Sequence, residues 1–564
     1  MKITQFAKGK HRRIPVAGLA LLLYLTLSLI YFGVGDLSRS YLGSGNDPYA
    51  YIWFLNWWPW ALTHGVNPFV SHYVWYPQGV NMTWTGSMPT AALLLWPITS
   101  TIGAAVSYNV LCLLAPALSA WASFLLIRYL TRNAFASLVG GYLFGFSSYE
   151  LGQMSGQPSN SVNFVVPLLV LFVVMRIRGN LSRPRFIATL AVALLAQLGL
   201  STELLATACL FGALTWAIFL VFVRSEERPR LWTVGWEIIL AAAIMAVVAA
   251  PFLFFIFKGL GYIPHQFNSP EIYSTDLLNY LIPTKIVRLG RNIFGGVAEK
   301  FTGNTFEQGA YLCLPLILIL ILQLRDIQRR PYIRPLLVSL LVVLVLSLGP
   351  KLQVGGMATN VWLPWSLGLY LPLIHQALPT RFPMYVWLIS AVATGLWLSQ
   401  AGDRRQHVIR YALAVLACLC LVPNLAMITW TPLPLADFFE PKNVVASLGR
   451  NANVIVLPFS ENGPGMIWQW QADMTFTQSG GFVGTAYPAE FVPPVVSTLY
   501  SGKPGPTFEK DISSYCVDHH VSAILVGPDT SAPLVEALHA LHWPEMEDRG
   551  ILVVRVPDQL LHPH

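Results

Sequence analysis

DPYAYIWFLNWWPWALTHGVNP, residues 47–68, follows the first apolar stretch of the chain and combines an acid with closely spaced tryptophans. Asp47 followed by Pro48 predicts a helix start, with the acid as N-cap and the proline in the first turn. At helical spacing, one face of this helix would carry three indoles: Trp53, Trp57 and Trp60. Such a stripe is typical of a helix in the headgroup region of a membrane, which would hold Asp47 beside the bilayer.

The composition is that of a membrane protein. Hydrophobic residues make up 55% of the 564 positions and charged residues only 11%, which is not the composition of a soluble globular protein. A hydrocarbon core of roughly 30 Å is crossed by an apolar helix of about 20 residues. We therefore predict a polytopic α-helical membrane protein with about eleven transmembrane helices, some of them short. They lie near 14–34, 105–127, 135–149, 161–175, 186–200, 204–223, 231–257, 309–324, 335–348, 384–400 and 411–429.

The basic residues predict the orientation, because short cytoplasmic loops collect Lys and Arg. The loop at 176–185 is rich in arginine, whereas the long loop at 35–104 contains Arg39 as its one basic residue. We expect a multi-pass protein of the cell inner membrane with a cytoplasmic amino terminus. KGKHRR, residues 8–13, would precede an uncleaved first span. The basic residues behind the net charge of +8 are spread over the loops and do not cluster into a binding surface, so no nucleic-acid partner is expected.

Near Trp430 the composition changes to that of a soluble domain. We predict two domains: a transmembrane domain at 1–430, with its large first outer loop at 35–104, and an extracytoplasmic α/β domain at 431–564. Within the second domain we predict strands at 453–460, 521–528 and 550–557, and helices at 508–515 and 531–541. The six cysteines form no CxxC pair and five lie in or beside apolar spans, so neither redox chemistry nor a zinc site is expected.

The outer loops hold the polar residues that can form a site. Glu203 lies in a tight turn between two apolar spans, where an acid either serves a function or stabilises a helix start. Gln157 belongs to YELGQMSGQPSNSVN, residues 149–163, whose amides suit a neutral polar ligand or cap helix ends. Asp276 and Glu307 are further substrate-binding candidates in the fourth outer loop, and both also fit helix caps.

Arg381 stands at the outer mouth of a span among apolar neighbours, where its guanidinium needs an anion. An internal carboxylate or a lipid phosphate fits its planar fork equally well. Trp57 and His64, both in the 47–68 stretch, complete the set of substrate-binding candidates. Asp47 is either a simple helix cap or a base as well, since the two roles do not exclude each other.

Three segments carry a resemblance to a known family: SGNDPYAYIW at 44–53, STDLLNYLIPT at 274–284 and LPTRFPMY at 378–385. With its many spans, its large first outer loop and a tail containing VIVLPFSENG, the chain resembles the GT-C superfamily of polyprenyl-phosphate-dependent glycosyltransferases. The resemblance covers residues 1 to about 430. It implies inverting transfer of a sugar from a polyprenyl-phosphate carrier to an extracytoplasmic glycan, lipid or protein.

In that family a carboxylate takes the proton of the acceptor hydroxyl, while cationic groups or a metal stabilise the departing phosphate. The resemblance therefore implies that Asp47 is the catalytic base and that Arg381 binds the phosphate. Many members carry two adjacent acids in this loop, whereas Asn46 precedes Asp47 here. If a metal is used, Glu203 is the candidate second ligand, and oxygen ligands favour Mg²⁺ or Mn²⁺.

Two other classes of function fit parts of the pattern. Acids near spans also mark the pathways of transporters and flippases, although the polar residues here gather on one side and no paired broken-helix repeats are evident. A non-catalytic binding or assembly scaffold on a transferase fold is the other class, because a fold does not determine a function.

Overall fold

The computed structural model describes residues 14–260, 268–290, 293–325, 331–371, 374–484 and 494–561. KGKHRR, with the predicted cytoplasmic amino terminus, lies outside these residues. In chain order the described helices α1 to α24 are Ile14–Phe32, Asp47–Thr63, Pro89–Leu94, Trp96–Thr101, Ala104–Thr131, Ala134–Gly145, Ser148–Gln153, Pro158–Ser161, Val165–Ile177, Arg183–Leu200, Thr202–Phe222, Arg228–Val248, Ala250–Phe257, Gly295–Ala298, Leu314–Leu324, Ile333–Ser347, Pro383–Leu398, Arg404–Cys420, Pro441–Leu448, Gly465–Gln471, Pro494–Ser501, Phe508–Asp518, Ala532–His539 and Asp558–Leu561. Strands β1 to β11 are Ser40–Leu42, Val70–Ser71, Val80–Asn81, Lys351–Val354, Met357–Trp362, Trp430–Pro432, Asn453–Leu457, Thr477–Gln478, Ala523–Val526, Glu545–Asp548 and Ile551–Arg555.

The chain forms two compact units. The first, here called the helical unit, combines Met1–Val34, Val110–Ala249 and Asn268–Thr429. The second, here called the loop–sheet unit, combines Gly35–Asn109, Ala250–Phe267 and Trp430–His564. The predicted boundary near residue 430 coincides with the change from the helical unit to the loop–sheet unit at Trp430. The first outer loop, predicted at 35–104, belongs to the same unit as residues 430–564. The division into membrane and extracytoplasmic parts stays a prediction.

Helices form at the apolar stretches of the sequence. Among the described residues, five segments are long and apolar enough to cross a membrane: Ala104–Thr131, Pro158–Ile177, Arg183–Leu200, Thr202–Phe222 and Ser225–Val248. Shorter apolar helices occupy Val16–Phe32, Leu314–Leu324 and Ile333–Ser347. The chain is therefore rich in helices of membrane type, while the number of crossings stays a prediction.

Two predicted spans differ from the helices that form. The stretch at 231–257 is divided, because α12 ends at Val248 and α13 begins at Ala250. The stretch at 411–429 begins earlier, since the Asp403 carboxylate accepts a 2.7 Å hydrogen bond from the Gln406 backbone N–H and starts α18 at Arg404. Hydropathy alone does not detect such a polar cap.

Small residues let the helices of the helical unit approach closely. α17 packs against α6 and α16, and α6 packs on α5 through glycines. A Cβ on Gly145 would lie 2.4 Å from the carbonyl oxygen of Pro116 on α5, and one on Gly140 would lie 2.2 Å from Ile127. Dispersion at this close range replaces the hydrophobic driving force that lipid cannot provide.

The loop–sheet unit contains a five-stranded mixed sheet in the order β10-β11-β9-β7-β8. β7 is parallel to both β8 and β9, whereas β11 is antiparallel to β9 and β10. The strands predicted at 453–460, 521–528 and 550–557 correspond to β7, β9 and β11, and the two predicted helices correspond to α22 and α23. The sheet packs on a buried core that includes Phe439, Val456, Trp468, Leu525 and Val553.

The tryptophan stripe of α2 lies inside this unit. Trp53 and Trp57 are both 0% exposed, and their rings stack at 5.2 Å with planes 6° apart. The prediction that they face lipid headgroups is wrong, because these indoles pack against protein. The helix also begins one residue earlier than predicted, with Asn46 as N-cap and Asp47 in the first turn.

Gln469 on α20 joins the first loop to the sheet within the loop–sheet unit. Its side chain is fully buried. Oε1 accepts from the indole N–H of Trp53 at 2.9 Å, while Nε2 donates to the carbonyl oxygens of Tyr73 at 2.7 Å and Phe476 at 2.9 Å. These three hydrogen bonds give Gln469 a structural role in the core of the unit.

Replacing Gln469 with Leu should destabilise the protein, because it leaves buried polar partners without hydrogen bonds. The Tyr73 carbonyl keeps a hydrogen bond from the Gln478 backbone N–H, so two partners, the Trp53 indole and the Phe476 carbonyl, lose theirs. At about 1–3 kcal/mol for each group, we expect a loss of about 2–6 kcal/mol in unfolding free energy. Denaturant unfolding of the purified protein in detergent measures this loss. Gln471→Leu is the control on the same helix, since that side chain is only partly buried; equal losses in both variants would contradict the assignment.

Candidate functional site

Arg381 is the cation of a polar cluster in the helical unit, here called the Arg381 cluster: Arg381, Glu203, Glu307, Gln157 and Gln153. Arg381 ends a 3₁₀ helix immediately before α17. Glu203 lies in the first turn of α11, which Ser201 caps. Glu307 ends a 3₁₀ helix capped by Asn304, whose Oδ1 accepts from the Glu307 backbone N–H at 3.0 Å. Local caps thus place both acids.

Both carboxylates bind the guanidinium. Nη1 of Arg381 donates to Oε2 of Glu203. Nε and Nη2 donate to Oε1 of Glu307, at 3.2 Å and 3.0 Å. Nη2 also reaches Oε1 of Gln157 at 3.5 Å. Of the two partners left open by the sequence, an internal carboxylate and a phosphate, the structure therefore contains the first.

Amide side chains extend the cluster. Nε2 of Gln153 donates to Oε2 of Glu307 at 3.1 Å. Nδ2 of Asn160 donates to Oε1 of Gln157 at 2.9 Å and to Oε1 of Gln153 at 3.2 Å. The amides that make these bonds belong to the loop at 149–163, which the sequence suggested for a neutral polar ligand. Much of its hydrogen-bonding capacity is instead used inside the protein.

The cluster holds one cation and two acids. Burial by itself would lower the pKa of Arg381, but the charges of Glu203 and Glu307 outweigh burial and raise it well above its usual value. The guanidinium is therefore charged throughout the physiological range. With both acids ionised, the cluster carries one net negative charge.

Glu150 is a buried acid beside this network that does not add to its charge. Its Oε2 accepts a 2.8 Å hydrogen bond from Nδ2 of Asn163. Burial raises the pKa of Glu150 well above its usual range, and the bond from Asn163 offsets only part of this. The neutral acid is therefore favoured, which suits a structural role.

Asp276 is a structural residue rather than an open binding group. Its carboxylate is buried and accepts backbone hydrogen bonds from Leu278 at 2.9 Å, Gly355 at 3.0 Å and Gly356 at 2.7 Å. These bonds tie the turn between β4 and β5 to the STDLLNYLIPT segment. The cap interpretation from the sequence accounts for this residue.

Asp47 lies beside a second acid, Glu461, in the loop–sheet unit. Both side chains are partly exposed. Nδ2 of Asn46 donates to the Glu461 carbonyl oxygen at 2.6 Å, which fixes the loop after β7 against the start of α2. Burial, and then the charge of Asp47, raise the pKa of Glu461. Sequence reasoning missed Glu461, although it lies within the quoted VIVLPFSENG motif.

Two other candidates of the 47–68 stretch have local partners. Trp57 is fully buried and donates its indole N–H to the Pro68 carbonyl oxygen at 2.9 Å. It thus has no exposed surface for a substrate. His64 is exposed and stacks on Trp60 at 4.3 Å, with Nδ1 2.9 Å from the Trp60 carbonyl oxygen.

The predicted metal ligands belong to different units, Asp47 to the loop–sheet unit and Glu203 to the helical unit. In the part of the chain that the structure describes, no three His, Cys, Asp or Glu side chains group together to hold a metal. A pair of carboxylates, Asp47 and Glu461, does come together. Their oxygen atoms suit Mg²⁺ or Mn²⁺ in kind, and the metal stays a prediction.

The fold is similar to those of known glycosyltransferases. Arabinofuranosyltransferase AftD from Mycobacteria superimposes with a TM-score of 0.60 and 14% identity, over 98% of this chain and 40% of that protein. Oligosaccharyltransferase AglB from Archaeoglobus fulgidus, in complex with an inhibitory peptide and a dolichol-phosphate, gives a TM-score of 0.54 and 12% identity, over 97% of this chain and 76% of that protein. ArnT from Cupriavidus metallidurans, bound to undecaprenyl phosphate, gives a TM-score of 0.50 and 12% identity, over 96% of this chain and 99% of that protein.

These proteins are GT-C glycosyltransferases, so the resemblance noted in the sequence is confirmed at the level of the fold. This chain spans 40% of the length of AftD. No curated protein matches the sequence. A family model described as Domain of unknown function (DUF6311) matches residues 20–422, and the chain belongs to that family.

Proposed function

We propose that this protein is an integral membrane glycosyltransferase that moves a sugar, with inversion, from a polyprenyl-phosphate carrier to an extracytoplasmic acceptor. The observation that carries the proposal is a partly exposed acid, Asp47, at the start of α2 in a chain with the GT-C fold. The acceptor is a glycan, a lipid or a protein that presents a nucleophilic group.

In the proposed reaction Asp47 is the catalytic base. As the acceptor oxygen attacks the anomeric carbon, its proton passes to the Asp47 carboxylate and the bond from that carbon to the phosphate oxygen breaks. Attack opposite the leaving group inverts the anomeric centre. The helix N-terminus favours the charged carboxylate before proton transfer, and the phosphate leaves with the bonding electron pair.

Arg381 is the proposed partner of the donor phosphate, since a guanidinium fork suits phosphate oxygens. AglB was solved with a dolichol-phosphate and ArnT with undecaprenyl phosphate, which supports a carrier of this chemical class. A bound Mg²⁺ or Mn²⁺ would supply further charge stabilisation to the leaving phosphate. Asp47 and Glu203 remain its candidate ligands, with Glu461 as an addition.

The proposed topology places this chemistry outside the cytoplasm. About eleven spans with a cytoplasmic amino terminus would put the loop at 35–104 and the α/β domain at 431–564 on the outer side of the cell inner membrane. The distribution of basic residues supports this orientation. The lipid bilayer itself would then deliver the carrier.

A non-catalytic scaffold is the second candidate, and one observation favours it. Arg381 already has two carboxylate partners within the protein, as a purely structural arginine would. A scaffold would bind its ligand through the outer tail and transfer nothing.

Asp47→Asn should abolish transfer, because the amide cannot accept the acceptor's proton. We expect a fall of about 10²–10⁴-fold in kcat, measured as radiolabelled sugar passed from a panel of polyprenyl-phosphate donors into envelope glycans. Asp36→Asn is the matched control, since Asp36 is an exposed acid of the same loop. Full activity in Asp47→Asn would keep the class of enzyme and discard the base, while no transfer by the wild type would favour the scaffold.

Glu461→Gln should stabilise the protein at neutral pH but not at low pH. Because the folded state raises the pKa of Glu461 above its usual 4.5, ionisation costs more in the folded than in the unfolded chain, and stability is lost as the pH rises through the raised pKa. Because a glutamine side chain does not ionise, the variant keeps this stability as the pH rises. We expect equal apparent melting temperatures near pH 4 and a higher one for the variant at pH 7.5.

Glu509→Gln is the control for this measurement, because Glu509 is exposed on α22 of the same unit. Asp47→Asn should reproduce part of the gain, since it removes the charge that faces Glu461. A melting temperature of Glu461→Gln that stays equal to the wild type at every pH would show that the two carboxylates do not interact.

A further inference from the structure

Two cysteines of the helical unit lie next to each other in the fold, although they are far apart in sequence. Cys313 immediately precedes α15 and is fully buried. Cys420 is the last residue of α18 and is partly exposed. The two helices pack against each other. All six cysteines of the chain are among the described residues, and all carry free thiols in this structure.

The Cys313 side chain lies on the last turn of α18. Its Sγ is 3.9 Å from the carbonyl oxygen of Ala417. Cys420 follows Ala417 by three residues, and a helical side chain leans back over the turn that precedes its own Cα, so the Cys420 thiol covers the same place. A side-chain hydrogen bond accordingly joins the two thiols. The packing of α15 on α18 thus brings the sulfur atoms into contact.

The backbone of Cys313 has a conformation that normally requires glycine. Its φ of 57° and ψ of 149° lie in a region that residues with a Cβ rarely adopt. Hydrogen bonds on both sides hold this conformation: the Leu312 N–H donates to the Tyr280 carbonyl oxygen, and the Ile317 N–H donates to that of Cys313, both at 3.1 Å. Backbone strain of this kind is retained where a residue serves a function, so the Cys313 thiol is a candidate for chemistry.

We propose that Cys313 and Cys420 form a structural disulfide at the extracytoplasmic side of the protein, with a dithiol–disulfide exchange protein of that compartment as the oxidant. The predicted topology puts the start of α15 and the end of α18 at the outer face, where disulfides form and persist. The spacing of the cysteines along the chain predicts no redox chemistry, because spacing does not show which thiols meet in the fold. The inference is independent of glycosyl transfer and rests on the predicted orientation.

Cys420 reacts first, because it is the partly exposed member of the pair. Its sulfur attacks the disulfide of the exchange protein, which breaks that bond, releases one thiol and leaves a mixed disulfide. The Cys313 sulfur then attacks the Cys420 sulfur, and the second sulfur of the exchange protein departs. Two S–H bonds break and one S–S bond forms in this chain, while the exchange protein gains the two protons and the two electrons.

The disulfide fastens the loop that precedes α15 to the end of α18. Backbone hydrogen bonds already join these segments, from the Arg288 N–H to the Val422 carbonyl oxygen at 2.9 Å and from the Asn424 N–H to the Ile286 carbonyl oxygen at 3.0 Å. A covalent bond here closes a long stretch of chain and removes conformational freedom mainly from the unfolded state. Oxidation therefore stabilises the protein without changing its fold.

The test determines the state of each thiol in the full chain, in membranes of a bacterial host that oxidises extracytoplasmic thiols. Cells are quenched with acid to stop exchange, free thiols are alkylated in denaturant, and peptides are mapped by mass spectrometry before and after reduction. In the wild type we expect one linked peptide that joins Cys313 to Cys420, and alkylation of these two residues only after reduction. In a host without an extracytoplasmic thiol oxidase the pair should stay reduced, and an equally oxidised pair there would overturn the assigned oxidant.

Cys418→Ser is the matched control, because Cys418 lies two residues before Cys420 on another face of α18; its linked peptide should equal that of the wild type. Cys420→Ser should leave Cys313 open to alkylation without reduction. It should also abolish the fall in apparent melting temperature that a reductant causes in the purified wild type. If Cys420→Ser fails to fold, the linked peptide of the wild type decides alone. Free thiols at Cys313 and Cys420 in the wild type, or a link from Cys313 to Cys418, would overturn the proposal.

Discussion

A buried guanidinium requires negative partners, and this requirement organises the helical unit. Arg381 lies just before α17, a largely buried helix, and its charge is met by Glu203 and Glu307. These acids come from the start of α11 and from the loop before α15. Loss of Arg381 would leave these two acids without their cation, which is far more costly than the ion pairs themselves are favourable. Segments distant in sequence are therefore fixed around one side chain.

The interior of each unit is stabilised by a different kind of packing. In the helical unit, glycines such as Gly145 allow backbones to touch, as expected where lipid removes the hydrophobic driving force between helices. In the loop–sheet unit, large aromatic residues such as Trp53 and Trp468 are buried as in a water-soluble core. A buried amide, Gln469 on α20, adds directional hydrogen bonds to Trp53 of α2 and to the Tyr73 carbonyl oxygen.

The fold alone does not decide between transferase and scaffold, and the two proposals differ in the roles they give to particular side chains. Asp47 and Glu461 form a partly exposed pair of acids at the start of a helix, an arrangement that costs stability, since each charge opposes the other. Proteins retain such arrangements where function needs them. The two acids of the Arg381 cluster differ in exposure, since the Glu307 side chain is 2% exposed and the Glu203 side chain 26%.

The amino-acid sequence alone established the class of protein, because apolar stretches of membrane length and a scarcity of charge allow little else. It also predicted β7, β9 and β11, whose buried apolar runs are continuous, and it identified Glu203, Glu307 and Arg381 as polar residues at the ends of apolar stretches. Local periodicity could not detect the start of α18, which depends on the polar cap of Asp403.

The contacts of these residues follow from the folded chain and not from local sequence. The position of Trp57 along its helix suggests a headgroup anchor, yet the indole is buried, because α3, α4 and α20 pack on α2. The Asp276 carboxylate accepts hydrogen bonds from the backbone N–H groups of Gly355 and Gly356, in a turn distant in sequence. The pairing of Arg381 with two acids joins positions far apart in sequence, and no local pattern encodes such a pair. Periodicity reports which face of an element is apolar, whereas the identity of the opposing surface is a property of the folded chain.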